Sequence, residues 1–218
     1  MTSRQDDVTL GLIYDGLALV GPLDGRERTE RRVQLLRVAT VQDAEFISRA
    51  VITSWQDAYR DFLPRSFLAS LNQNAHHDRW AWESRIREPG SVTWIISDTR
   101  DDVGVLRIVT GASSIPGTDS QLSTLYLLRE SRGHGLGSEA LALARAEAAR
   151  RARPILGVCV LAGNKAGQAF YERRGARRIG ERVAFRLDQE PIIDIVYRFG
   201  SIVVSPLLSN RITTAAPG

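Results

Sequence analysis

Residues 125–137 read LYLLRESRGHGLG. An apolar run ends, three glycines alternate with other residues, and Ser138-Glu139 open a stretch rich in alanine and leucine. This is the pattern of a strand, a tight turn and the start of a helix. Lacking a Cβ, Gly133, Gly135 and Gly137 let main-chain N–H groups approach a ligand closely. The first N–H groups of a helix have no intrahelical partner and carry partial positive charge. Two readings stand side by side. The turn is a cradle for a diphosphate with Arg132 beside it, or a tight connection that uses glycine for its geometry alone. The spacing is not the dinucleotide fingerprint G-x-G-x-x-G, and no Gly-Lys-Ser/Thr makes it a P-loop.

The segments around this turn fix the fold class. Val33 to Val38 is a short apolar strand. Thr40 and Asp43 resemble a capping box in which Asp replaces Glu. Ile47, Ala50, Val51, Trp55, Ala58 and Tyr59 then recur at helical spacing. A second helical stretch covers Ala75 to Arg87. Val92–Ser97, Val103–Thr110 and Leu122–Leu128 read as strands, and Ser138–Ala152 as a helix of good formers. Ile155–Leu161 is continuously apolar, as a strand buried on both faces should be. Ala166–Arg174 is helical and stops at Gly175, and a last hairpin joins Val183–Leu187 to Ile192–Phe199. The order is strand, two helices, three strands, helix, strand, helix, two strands. Antiparallel hairpins at the ends and a crossover in the middle predict an α/β fold with a mixed central sheet.

The chain has 218 residues, 43% hydrophobic and 25% charged, which fits one globular domain with extensions. Residues 1–32 form the first extension. Asp15-Gly16 between two apolar runs is a hairpin signal, and a charged linker follows; a mobile tail is the alternative. The domain proper spans 33–199, and 200–218 is a C-terminal tail. No run of about 18 apolar residues is present and the N-terminus makes a poor signal peptide, so the expected location is cytoplasmic, with no membrane partner. Cys159 is the single cysteine, which rules out an internal disulfide. It lies mid-strand and is expected to be buried and inert. His76 and His77 are adjacent on a helix and lack a third ligand at metal spacing, so no metal is expected. Lys165 is the one lysine among 29 basic side chains, and the net charge is +4. Arginine binds phosphate in bidentate fashion, but a charge this modest, without interleaved aromatics, leaves nucleic acid the weaker reading.

A second informative segment is Asn164-Lys165-Ala166-Gly167-Gln168-Ala169-Phe170-Tyr171-Glu172. Asn164 is placed to cap a helix. Tyr171 lies seven residues on and projects from the same face. Together the two segments carry a resemblance. Arg132-x-x-Gly135-x-Gly137 is similar to the acyl-CoA motif of the GCN5-related N-acetyltransferases (GNAT). Asn164, Ala166, Ala169, Phe170-Tyr171-Glu172 and Gly175 resemble that family's second segment. Trp55-x-x-x-Tyr59 followed by Phe62-Leu63-Pro64 is similar to a common first-helix pattern. The resemblance spans about residues 33–199.

It implies a GNAT-like sheet in which the fourth and fifth strands splay apart. It also implies acetyl transfer from acetyl-CoA, the co-substrate, to an amine of a small molecule or peptide, by direct attack. On this basis Arg132, Gly133, His134, Gly135, Leu136, Gly137 and Ser138 hold the pyrophosphate through main-chain N–H groups. Leu127 pairs with the pantetheine arm and polarises the thioester carbonyl. Asn164 bonds the arm, and Tyr171 protonates the departing thiolate. One or two of Arg173, Arg174, Arg177 and Arg178 neutralise the 3′-phosphate. Trp55, Tyr59 and Trp94 are candidates for the acceptor wall. Members are often dimers, which points to a homodimer.

The sequence departs from the family where many members place a catalytic Glu. That position holds Gln121, whose amide cannot act as a base. Asp119, two residues earlier, is the candidate that acts through water; Glu130 and a water relay are alternatives, and His134 falls inside the phosphate turn. The missing Glu is also the support for a different function, a non-catalytic acyl-CoA-binding regulatory module.

Overall fold

The computed structural model describes residues 17–18, 35–98, 101–111 and 113–200. The strands are β1 (Leu17–Ala18), β2 (Leu35–Val38), β3 (Ser91–Ser97), β4 (Asp102–Val109), β5 (Ser120–Leu127), β6 (Leu156–Leu161), β7 (Arg177–Leu187) and β8 (Glu190–Arg198). The helices are α1 (Ala44–Ala58), α2 (Arg65–Ser70), α3 (Ala75–Arg87), α4 (Leu136–Arg150) and α5 (Lys165–Arg173). The expected order holds, with the short α2 added between the first two helices.

The expected capping box opens a 3₁₀ turn, Val41–Asp43, that runs straight into α1. The Asp43 carboxylate accepts the Thr40 N–H at 2.7 Å and the Thr40 hydroxyl at 3.0 Å. Arg37 clamps the same carboxylate with two bonds of 2.8 Å. The Arg37 guanidinium therefore holds the Asp43 carboxyl down at about 2. The helix then buries Ile47, Ala50, Val51, Ser54 and Trp55 on one face.

The strands form one mixed sheet in the order β2-β3-β4-β5-β1-β6-β8-β7. Two cores lie on its opposite faces. Leu122, Leu125, Leu127, Leu141, Ala144, Val158, Val160, Phe170 and Tyr197 pack with α4 and α5. Ile47, Trp55, Tyr59, Trp82, Val105, Tyr126, Leu161 and Phe185 pack beneath α1–α3. β6 is buried throughout, as its continuous apolar run requires. β5 is buried throughout as well, although Ser120, Gln121, Ser123 and Thr124 make it half polar.

The centre of the sheet positions the site. β5 and β6 are parallel neighbours only at Ser120–Leu122 against Leu156–Val158. Beyond that they part, and the gap holds β1. Leu17 and Ala18 pair in parallel with Thr124 and Leu125, and Leu17 also pairs with Cys159. Of the hairpin expected over residues 8–22, only these two residues are among those described, and they pair with the body of the sheet. The rest of that hairpin, the linker and the tail 201–218 lie outside the described residues. Among the described residues no helix is long and apolar enough to cross a membrane.

Candidate functional site

The gap between β5 and β6 opens beneath the start of α4. A 3₁₀ turn over Arg129–Ser131 follows β5, and the chain then passes through Gly133 (φ +82°) and Gly135 (φ +91°). That left-handed backbone strongly favours glycine. A Cβ built on either residue would meet nothing within 4 Å, so the space beside each Cα is open. The first N–H groups of α4, on Leu136 and Gly137, have no intrahelical acceptor. His134 is exposed on the turn.

Two side chains of the turn are already engaged. Arg132 donates from Nε to the Leu127 carbonyl at 2.9 Å and from Nη1 to Asp57 at 2.5 Å. Asp57, near the end of α1, also receives Arg129 at 3.1 Å and Arg60. Burial opposes ionisation of Asp57, yet the three arginines hold its carboxyl below the usual range. Arg132 therefore ties the turn to α1. The Ser138 hydroxyl accepts Arg174 Nε at 3.1 Å. Arg174 stacks on the Phe170 ring at 3.8 Å, so one member of the basic run 173–178 reaches the turn.

Leu127 is buried at the end of β5, opposite Gly104. Its carbonyl takes Arg132 and, at 3.4 Å, the Ser54 hydroxyl. On the far side of the gap, Asn164 caps α5: its Oδ1 accepts the Gly167 N–H at 2.9 Å. Its Nδ2 is buried with no hydrogen-bond partner. Tyr171 is 0% exposed, and its hydroxyl also lacks a partner. Burial pushes its pKa well above 10, so it is a proton donor across the neutral range.

On the α1 face the aromatic residues form a connected group. Trp55 Nε1 donates to the Tyr126 hydroxyl at 2.7 Å, and Trp55 meets Tyr59 edge-on at 4.7 Å. The Tyr59 hydroxyl lies within electrostatic reach of Tyr126, Asp194 and Tyr171. Phe62 reaches the turn before α5, where its ring occupies the space a Cβ on Gly163 would need. Trp94 is not part of this group; it packs in the other core, across the sheet.

Of the candidate bases, Asp119 sits just before β5. Its carboxylate accepts the Ile155 N–H at 3.3 Å, and its own N–H donates to the Ile155 carbonyl at 2.9 Å. Glu130 is exposed in the 3₁₀ turn. Cys159 is buried, which pushes its thiol up to about 12. Among the described residues no group of three or more His, Cys, Asp or Glu could hold a metal ion.

Sequence reasoning missed Asp194. It lies in β8, is 1% exposed and bonds Arg182 Nε through Oδ2 at 3.2 Å. Burial pushes its carboxyl up to about 6, against the opposing pull of Arg182. The signal was present: an acid in the middle of Ile192-Ile193-Asp194-Ile195-Val196.

The chain resembles known proteins in sequence and in shape. The sequence model of the acetyltransferase (GNAT) family matches residues 52–176. The uncharacterised N-acetyltransferase YuaI of Bacillus subtilis is 28% identical over 108 residues, which is 49% of this chain and 60% of that protein. The match thus spans less than two thirds of that relative's length. The PaiA N-acetyltransferase of Thermoplasma acidophilum, solved in complex with coenzyme A, superposes with a TM-score of 0.59 at 15% identity, covering 76% of this chain and 99% of that one. A GCN5-related N-acetyltransferase from Rhodopseudomonas palustris gives a TM-score of 0.62 at 17% identity, over 82% and 100% of the two chains. At such identities the structures speak for the shared fold.

Proposed function

The chain belongs to the acetyltransferase (GNAT) family, and from that premise we propose that it moves an acetyl group from acetyl-CoA to a primary amine of a small molecule or peptide by direct attack. The observation that carries this reading is the gap between β5 and β6. β5 and β6 part at the end of β5 that runs into the glycine turn, and the helix after β6 carries a buried phenol, Tyr171, with nothing to bond. The residues present fit acetyl-CoA. The pyrophosphate takes the N–H groups of the turn 133–137, where Leu136 and Gly137 at the start of α4 offer donors with no intrahelical acceptor. The arm takes the strand edges now paired with β1 and meets the orphaned Nδ2 of Asn164. Arg174 is positioned beside Ser138 to add positive charge.

Bound there, acetyl-CoA supplies an activated acyl group. A main-chain N–H near Leu127 polarises the thioester carbonyl, and preorganised donors of this kind are commonly the largest single contribution to rate. Tyr171 gives its proton to the departing thiolate. Trp55, Tyr59 and Tyr126 wall the side from which the amine arrives.

A second reading has one observation in its favour, the amide at Gln121 where many relatives carry Glu: a regulatory module that binds acyl-CoA without turnover. A thiol-release assay with acetyl-CoA and a broad panel of amines separates the two. Release that depends on one class of amine is the expected result. Tight acetyl-CoA binding with no release on any amine would overturn the transferase reading in favour of the module.

A further inference from the structure

An acceptor amine is an ammonium at neutral pH, and its nitrogen cannot attack until a proton leaves. Gln121 cannot take that proton, but the same face of the sheet offers a carboxylate that can. Laterally paired residues share a face. Gln121 pairs with Gly157, Cys159 with Val196, Leu161 with Asp194, and Asp194 with Arg182. One hydrogen-bonded line runs across this face. Ser114 donates its N–H at 3.3 Å and its hydroxyl at 2.9 Å to the Gln121 Oε1. Arg182 donates from Nη1 to the Ser114 hydroxyl at 3.3 Å and from Nε to Asp194 Oδ2 at 3.2 Å.

Asp194 is engaged through one oxygen only. Its Oδ1 is buried and has no hydrogen-bond partner. A buried acceptor left unsatisfied is costly and calls for an explanation. A donor that arrives with the substrate supplies one. Tyr59 lies within electrostatic reach of both Asp194 and Tyr171. Tyr59 thus feels the charge of both this carboxylate and the phenol proposed to protonate sulfur.

We propose that Asp194 Oδ1 is the general base, the group that takes the proton from the acceptor ammonium. This rests on the acyl-transfer reading above. The ammonium loses one proton to Asp194, which passes it to solvent. The freed nitrogen pair forms the C–N bond, the C–S bond breaks, and the thiolate takes the Tyr171 proton. The second proton on nitrogen returns through water to the Tyr171 phenolate. The net products are the amide, the free thiol of CoA and one proton. Asp194 is faced by Arg182 from β7, Cys159 from β6, Tyr126 from β5 and Tyr59 from the end of α1. Its carboxyl, raised by burial to about 6, is largely ionised at neutral pH and so is ready to accept.

The test is the pH profile of kcat/KM for one reactive amine, from pH 5 to 9, in the full-length protein and three variants. The unaltered protein is expected to show an acidic limb near pH 6. Asp194→Asn should lower kcat about 100-fold at pH 7, lose that limb and keep its acetyl-CoA affinity. Arg182→Gln leaves the carboxylate but removes its cation, and should move the limb to higher pH. Asp119→Asn should keep the limb. Turnover by Asp194→Asn within threefold of the unaltered protein, or loss of the limb in Asp119→Asn instead, would overturn the assignment. Should Asp194→Asn lose acetyl-CoA binding through misfolding, the Arg182→Gln profile decides, and an unmoved limb rejects the idea. Absence of thiol release from the unaltered protein on every amine would refute the transferase reading and this assignment with it. Active protein whose Asp194 variants behave normally would refute this assignment alone.

Discussion

Tyr171 could be phenylalanine as far as packing is concerned. Its ring meets Phe170 edge-on at 4.9 Å and Phe199 at 6.3 Å, while its hydroxyl bonds nothing. Burying an unpaired hydroxyl costs about 1–3 kcal/mol. Tyr171→Phe is therefore expected to unfold no earlier than the unaltered protein, yet to lose about 100-fold in kcat with the KM for acetyl-CoA unchanged. Steady-state kinetics and a melting curve check both halves, and an undiminished kcat removes the phenol from the chemistry. Asp194 makes the same argument through pH. Its folded value of about 6 lies above the ordinary 3.8, so the protonated fold is favoured. Stability is fullest below the ordinary value and falls as pH rises through about 6, by roughly 3 kcal/mol in all. Asp194→Asn should raise the denaturation midpoint at pH 7.5, and the gain should shrink toward pH 4. Arg182, a third exposed, stays hydrated when its partner is gone. An equal midpoint at both pH values would mean that the carboxylate carries no such penalty.

At the scale of elements, the turn before α4 is the sharpest test of the binding site. Gly135→Val forces a branched side chain into φ +91° and points it into open space. Acetyl-CoA affinity, measured by titration calorimetry, should fall at least about tenfold, as loss of one or two N–H contacts implies. An unchanged affinity would place the diphosphate elsewhere. This turn was legible in the sequence because glycine spacing and an abrupt change of periodicity are local signals. The helices α1, α3, α4 and α5 and the strands flanking them were legible for the same reason, to within a few residues. Of β7 only Val183–Leu187 was legible, because the strand begins in the exposed basic run Arg177-Arg178, which reads as a solvated surface. α2 escaped because six residues between Pro64 and Leu71 are too few to show a period. In the site, Asn164 and Tyr171 could be read from their helix, whereas the Arg132–Asp57 pair could not, since 75 positions separate the partners. The resemblance groups Trp94 with Trp55 and Tyr59, and only the sheet assigns Trp94 and Trp55 to opposite faces. Asp194 stands out locally as an acid inside an apolar strand, but its meeting with Arg182 depends on β7 and β8 coming into register, which no local pattern encodes.

For the molecule as a whole, the sheet is both scaffold and binding surface. Two packed cores hold its faces, so the strands cannot drift, and the parting of β5 and β6 is a permanent part of the design. β1 uses the strand edges there, and an edge can pair only once. If the arm takes the edges proposed above, its binding displaces Leu17–Ala18. Leu17→Pro removes a backbone donor from that pairing. In the full-length chain it should tighten acetyl-CoA binding severalfold with kcat unaffected, whereas equal affinity would mean that the two do not compete. A rival tethered to the enzyme is never diluted away. It lowers apparent affinity by whatever fraction of molecules it keeps closed. On the proposed binding mode, abundance of the activated thioester would overcome it, and output would track acetyl-group supply over a range in which an unhindered enzyme is already saturated.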